Sequence, residues 1–383
     1  MRTDHGTTGT GPSDAGTPDA GTPDAGTPDA GAPAPTGRRR RRTVLVATAA
    51  AVVLCVVAAL LVRSARDEPG PPAPAPVAAD YPFGPRSVWR TDLSDAPVDP
   101  RSAAMVADLE RQVADHWGGV ASFNVDKYTA SWWTAGPDTP RVDVAFDDCQ
   151  RKGSVPAGLL GEGGQFTDVP IPAGAAPSPG TDGQLTIHSP STDQLWELWR
   201  VERTASGWSA CWGGRLDRVS ASPGWFEDGF GASASGLAMS AGTVWVDDVR
   251  RGEINHALGL AILQPADWTR VRWPAQRSDG NDRDADALPE GTRLRLDPAV
   301  DVDALELTPL ARLVARSAQT YGFVVTDQAG AVNIGAQTGQ PLEDDPGFWD
   351  RTMAGVPSYQ VLAGFPWDRL QVVAEDHGRP AGG

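Results

Sequence analysis

Between Thr43 and Val62 the chain runs for twenty residues, TVLVATAAAVVLCVVAALLV, without a charged side chain. As a helix, a run of about 20 apolar residues matches the thickness of bilayer hydrocarbon, and it offers no polar face to water. RRRRR, Arg38–Arg42, precedes it. The expectation is a single transmembrane helix over 43–62, in contact with the lipid bilayer. The positive charge places residues 1–42 in the cytoplasm and the C-terminal part outside the cell membrane. A cleaved signal peptide fits less well: the apolar run is long, its leader is long, and no A-x-A site follows it.

The flanks differ sharply in character. Residues 1–42 are a Gly/Pro/Ala/Thr/Asp tail in which TPDAG recurs from Thr17, Thr22 and Thr27, ending in the arginines. It has too few large apolar groups to offset the entropy of ordering, so it reads as disordered. Residues 63–80 are a Pro/Ala linker of extended character. The main domain is expected over 81–376, followed by a short disordered tail at 377–383, and all 14 tryptophans lie beyond the linker. The net charge is −16 although the five arginines sit upstream. Such an acidic surface excludes nucleic acid as a partner. Cys55 lies within the apolar run. Cys149 and Cys211 both fall in the main domain, where an oxidising compartment lets them pair as a disulfide.

Within that domain, VDPRSAAMVADLERQVADHWGG signals a helix. Asp99 stands as N-cap, Pro100 as first helical residue and Gly118 as terminator, with Met105, Leu109, Val113 and Trp117 on one face. LTPLARLVARSAQTYG signals a second, capped by Thr308. The stretch from Gly183 to Gly214 contains four tryptophans and reads as three antiparallel strands: QLTIHS, QLWELWRVER and WSACWGGRL. Alternation puts Leu195, Glu197 and Trp199 on one face of the middle strand, and Trp196 and Leu198 on the other. FVVTDQAGAVNIGAQ reads as a hairpin turning at Gln328–Gly330. Many short strands with two or so peripheral helices predict a mainly β fold, a jelly-roll or concanavalin-like β-sandwich.

PIPAGAAPSPGTDGQLTI, LWELWRV, GWSACWGG, GASASGL, RGEINHALGLAI, WPAQRSDG, LPEGTRLRLDP and AQTYGFVVTDQAG span Val169 to Gly330. In these pieces the chain resembles a family of largely uncharacterised actinobacterial secreted or membrane-anchored proteins. The resemblance implies a concanavalin-like or jelly-roll domain of the kind shared by glucanases, polysaccharide lyases and lectins, and it carries over no catalytic residue. Retaining glucanases of that fold place several carboxylates on alternate positions of one strand, whereas LWELWRV offers only Glu197.

Candidate chemistry is sparse. Glycoside hydrolysis needs two carboxyl groups, for which Glu197 and Asp279 are the candidates, with Asp217 a further one. Glu197 has the competing reading of a partner for Arg203 or Arg215. His256 is a candidate base, or a buried histidine satisfied by Asn255 or backbone. Trp196, Trp199 and Trp212 are the candidate ligand-stacking residues, and for each the core reading is the stronger. GASASG lacks the spacing of a nucleophile elbow, so its glycines read as a close approach of backbones. SDGNDRDADALPE places Asp279 and Glu290 at positions 1 and 12 of an EF-hand count, but Asp284 stands where glycine is needed, so that motif is rejected. No metal, nucleotide or other cofactor is expected. The expected role is a membrane-anchored cell-surface domain, glycan-binding or structural. The alternatives are a polysaccharide-degrading enzyme and a protein-partner module of the envelope.

Overall fold

The computed structural model describes residues 81–380. Glycine and proline interrupt the chain so often that its regular elements are short. The largest sheet combines β1 (Ser122–Asn124), β9 (Leu258–Ile262), β10 (Arg293–Leu296), β11 (Phe323–Gln328), β12 (Asn333–Gly335) and β14 (Leu370–Val372). Its order is β1-β12-β9-β11-β10-β14. A second sheet, ordered β13-β2-β4-β5-β8, contains β2 (Ser131–Thr134), β4 (Leu185–Ser189), β5 (Gln194–Trp199), β8 (Trp212–Asp217) and β13 (Thr338–Gly339). A third, ordered β3-β7-β6, contains β3 (Val144–Phe146), β6 (Glu202–Thr204) and β7 (Gly207–Ala210). The α-helices are α1 (Ser102–Ala114), α2 (Val246–Arg251), α3 (Pro309–Thr320), α4 (Gln340–Glu343) and α5 (Phe348–Met353).

This is a mixed α/β fold with three open sheets, and it corrects the expected jelly-roll. The reason lies in the pairing. A jelly-roll is antiparallel throughout, whereas β1–β12, β9–β11, β13–β2, β2–β4 and β3–β7 pair in parallel. Parallel neighbours need long crossover connections, and those joining β2 to β4 and β3 to β7 contain no α-helix. Alternation within a strand does not reveal the direction of its neighbour.

The expected membrane anchor is also corrected. Among the described residues no helix is long and apolar enough to cross a membrane. The longest, α1, has 13 residues, about 20 Å of helix against about 30 Å of hydrocarbon. The run 43–62 itself lies outside the described residues, as do the tail and linker of residues 1–80. The bilayer partner, the single-pass topology, the split between cytoplasmic tail and extracellular domain, and the cell-surface role all rested on that run. None is carried forward.

Both expected helices form. Thr308 caps α3, its Oγ1 accepting the N–H of Ala311 at 3.0 Å. Leu310, Ala311, Val314, Ala315 and Ala318 are buried against the large sheet. Gly322 ends the helix at φ +76°, where an added Cβ would lie 2.2 Å from the Leu294 carbonyl oxygen. In α1, Met105, Leu109 and Val113 are buried as expected, but Trp117 is 69% exposed and its indole donates to the Gly330 carbonyl. Asp99 does not cap the helix itself; its Oδ1 accepts the N–H of Arg101 at 2.7 Å, one residue ahead of α1.

The tryptophan-rich stretch is only partly a meander. β4, β5 and β8 are antiparallel neighbours, but the chain between β5 and β8 leaves the sheet as the β6–β7 hairpin and joins β3. Leu195, Trp196, Glu197 and Leu198 of β5 are all buried, so both faces of that strand are covered. The hairpin expected around Gln328 does not exist: β9 lies between β11 and β12.

Candidate functional site

A cavity of about 330 Å³ opens between the two larger sheets. The end of β5 supplies Trp199 and the start of β8 supplies Trp212; opposite them stand Gly259 and Ala261 of β9, and Thr326 and Asp327 of β11. Its size suits a small molecule rather than a polymer. Several loops complete it, among them one carrying Lys152, one carrying Asp182 and one carrying Arg277 and Asp279.

Asp327 reaches the cavity through an irregularity in its strand. Val325 pairs with Leu260 and Asp327 with Ala261, leaving Thr326 as an extra residue. Such a bulge re-aims the side chains beyond it. Thr326, Asp327 and Gln328 consequently all line the cavity, which strict alternation would forbid. The Asp327 carboxyl accepts the N–H of Ala234 at 2.6 Å. Burial pushes its pKa up to about 8, the Asp279 and Asp182 charges add to the rise, and the Ala234 N–H and Arg277 oppose it.

Glu290 stands behind Asp279 and Asp327. It has no exposed surface, and both of its carboxyl oxygens are buried without a well-formed hydrogen bond. Burial first, and then the Asp327 and Asp279 carboxyls, push its pKa up to about 11. Glu290 is therefore neutral at physiological pH. Arg277 sits beside these three acids, and burial lowers its pKa while their charges hold it up. Its Nη2 donates to the carbonyls of Gly231 and Ser233 at 3.0 and 2.7 Å, which fixes the guanidinium. Asp182, which also lines the cavity, has its pKa raised by burial, against the lowering by a Trp199 side-chain hydrogen bond and the Arg200 charge.

Of the sequence candidates, the cavity collects Asp279, Trp199 and Trp212 and leaves out the rest. Glu197 is buried beneath the loop at Met239, its Oε2 and Oε1 accepting the N–H groups of Met239 and Ser240 at 3.0 and 2.8 Å. It pairs with neither Arg203 nor Arg215. Burial raises its pKa. His256 precedes β9 and is wholly buried: Nε2 lies 3.0 Å from Asp248, Nδ1 lies 2.9 Å from the Ala257 carbonyl, and the ring stacks on Tyr81 at 4.4 Å. Trp196 is core, with 0% exposure. Asp217 is on the surface with Arg215. A polysaccharide groove, expected along the tryptophan strand, is replaced by core packing on both faces of β5, and the glycan reading is corrected with it.

Cys149 and Cys211 are joined by a disulfide, with Cα atoms 5.6 Å apart. The bond ties the loop bearing Gln150 and Lys152 to the start of β8, and both residues line the cavity. The glycines of GASASG do allow close approach, since a Cβ on Gly214 would fall 2.7 Å from the Gly231 nitrogen. Among the described residues no group of three or more His, Cys, Asp or Glu is placed to hold a metal ion.

No family model, curated protein or solved structure matches the chain.

Sequence reading missed Asp327, Arg277, Lys152 and Asp182. The EF-hand count had linked Asp279 with Glu290, and the fold does bring those two together, as a carboxyl pair and not as calcium ligands. Asp327 gave no signal, because its exposure to the cavity depends on the extra residue at Thr326.

Proposed function

We propose that the protein is an acid–base hydrolase acting on a small polar molecule bound in this cavity. The observation that carries the reading is the placing of Asp279 and Asp327 on the cavity lining with Glu290 buried beside them, neither Glu290 oxygen having a well-formed hydrogen bond. Structural carboxyl groups are normally hydrogen-bonded when buried, as Glu197 is here. Groups held out of their ordinary protonation state beside a cavity are the usual mark of proton-transfer chemistry.

Asp327, with a pKa of about 8, is mostly protonated at neutral pH and able to give its proton up. It serves as general acid to the leaving heteroatom of the substrate. Asp279 takes a proton from water as that water attacks the electrophilic centre. One bond to the leaving atom breaks, one bond to the water oxygen forms, and the two protons pass through the two carboxyl groups. Glu290 stays protonated and keeps negative charge from accumulating around Asp327. Trp199 and Trp212 form flat walls that position the substrate.

The test is turnover by the full-length chain of a panel of small esters, amides and acetals, followed by NMR. One class is expected to be hydrolysed, with kcat/KM falling on the alkaline side near pH 8. Asp327→Asn should lower the rate about 10²-fold or more while circular dichroism stays unchanged. Rates for Asp327→Asn and Asp279→Asn within about twofold of the parent chain, well short of what a general acid or base contributes, would overturn the reading.

A further inference from the structure

Two cations lie near the Trp212 indole. One face of its indole packs on Phe230, with ring centroids 5.5 Å apart at 17°. The Lys152 ammonium lies 5.6 Å from the indole centroid and the Arg277 guanidinium carbon 6.0 Å from it. All three residues line the cavity. The indole Nε1 and Arg277 Nε are both buried donors without an acceptor. Leaving two donors unpaired beside two positive charges is costly unless an acceptor completes them.

The acids near this corner are occupied elsewhere. Asp148 is the carboxylate beside Lys152, and its two oxygens accept the backbone N–H groups of Lys152 and Gly153 at 2.8 and 2.7 Å. Asp327, Glu290 and Asp279 lie close enough to Arg277 to act on its charge, and Asp182 lines the same cavity. Lys152 is exposed at the cavity mouth, and its position is set by the disulfide at Cys149. The cavity thus carries two cations, Lys152 away from the carboxyl cluster on its own loop and Arg277 beside that cluster.

We propose that the Lys152–Trp212–Arg277 corner is an anion subsite that binds a carboxylate of the substrate. This rests on the hydrolase reading and adds a substrate class to it: a small polar acid whose scissile bond lies toward Asp279 and Asp327. A carboxylate suits the corner better than a phosphate does. Part of the Arg277 charge is already offset by Asp279, two residues away, leaving positive charge for about one negative unit rather than two.

The test uses N-acetylglycine and its neutral near-isostere N-acetylglycinamide as probes, titrated into the full-length chain and read by tryptophan fluorescence. Trp212→Phe serves as the spectroscopic control. N-acetylglycine should bind in the millimolar range or tighter, about tenfold better than the amide, as a charge-assisted hydrogen bond provides. The preference should weaken with added salt. Lys152→Met should reduce it to within about twofold, and methyl phosphate should bind more weakly than N-acetylglycine. Equal affinity for acid and amide, no saturable binding of the acid, tighter binding of methyl phosphate, or a preference unmoved by Lys152→Met would each overturn the proposal. Because these probes are themselves amides, the titrations are repeated in Asp327→Asn, where turnover is suppressed and binding is read alone. Asp327→Asn should keep the acid preference, whereas failure of the hydrolase reading would show in rates alone.

Discussion

Glu197 and Glu290 are both glutamates with almost no exposed surface, 2% and 0% respectively, yet their surroundings are opposite. The Glu197 carboxyl accepts two backbone N–H groups and pins the Met239–Ser240 loop onto β5. Glu290 has neither oxygen well paired and faces two further acids. The same contrast separates His256, held by Asp248 and a carbonyl, from Asp327, which has a single backbone donor. Burial alone therefore says little about role. What distinguishes the two regions is whether each buried polar group has its partners, and whether a cavity lies beside it.

The comparison can be broken most readily at Glu197. Glu197→Ala strands two buried N–H groups, so stability should fall by about 3 kcal/mol in a urea titration; a loss near zero would remove the satisfied half of the contrast. His256→Leu deprives Asp248 of a partner in the same way and should cost about 2 kcal/mol, again seen in denaturant midpoints.

The cavity side should behave with the opposite sign. A carboxyl whose pKa is raised by folding supports the fold below its unfolded value and loses that support as pH rises through its folded value. For Asp327 the window runs from the ordinary carboxylate range up to about 8. Stability should decline across that window by at most about 1.4 kcal/mol per pH unit for this group. Asp327→Asn should flatten the decline, as thermal melts at several pH values would show. Smallest of all, Glu290→Gln should stabilise the chain by about 1 kcal/mol at neutral pH, because an amide need not be kept protonated at a cost. Destabilisation by that substitution would place Glu290 with Glu197.

Much of this was open to sequence reading, and the limits are physical. Helix α3 declared itself through its Thr308 cap and apolar spacing, and α1 through its apolar spacing alone, because these signals are local. The Cys149–Cys211 pairing followed from there being no third cysteine in the main domain. The sheet order did not follow, since five of the pairings are parallel and join segments distant in the chain. Trp196 misled for a related reason: β5 is covered on both faces, so a tryptophan there is core whichever way it points. Asp279 stood out in its acidic loop, while Arg277, two residues earlier, became meaningful only once Trp212 was beside it.

The odd residue at Thr326 has an evolutionary corollary. A deletion there would restore an even count along β11 and turn every later side chain of the strand through half a revolution, trading Asp327 for its neighbour at the cavity wall. Point substitutions can tune this pocket one group at a time, but a frame-preserving loss of one codon would rewrite its chemistry in a single event. Insertions and deletions in β11 are therefore the changes that would most alter which groups line this pocket.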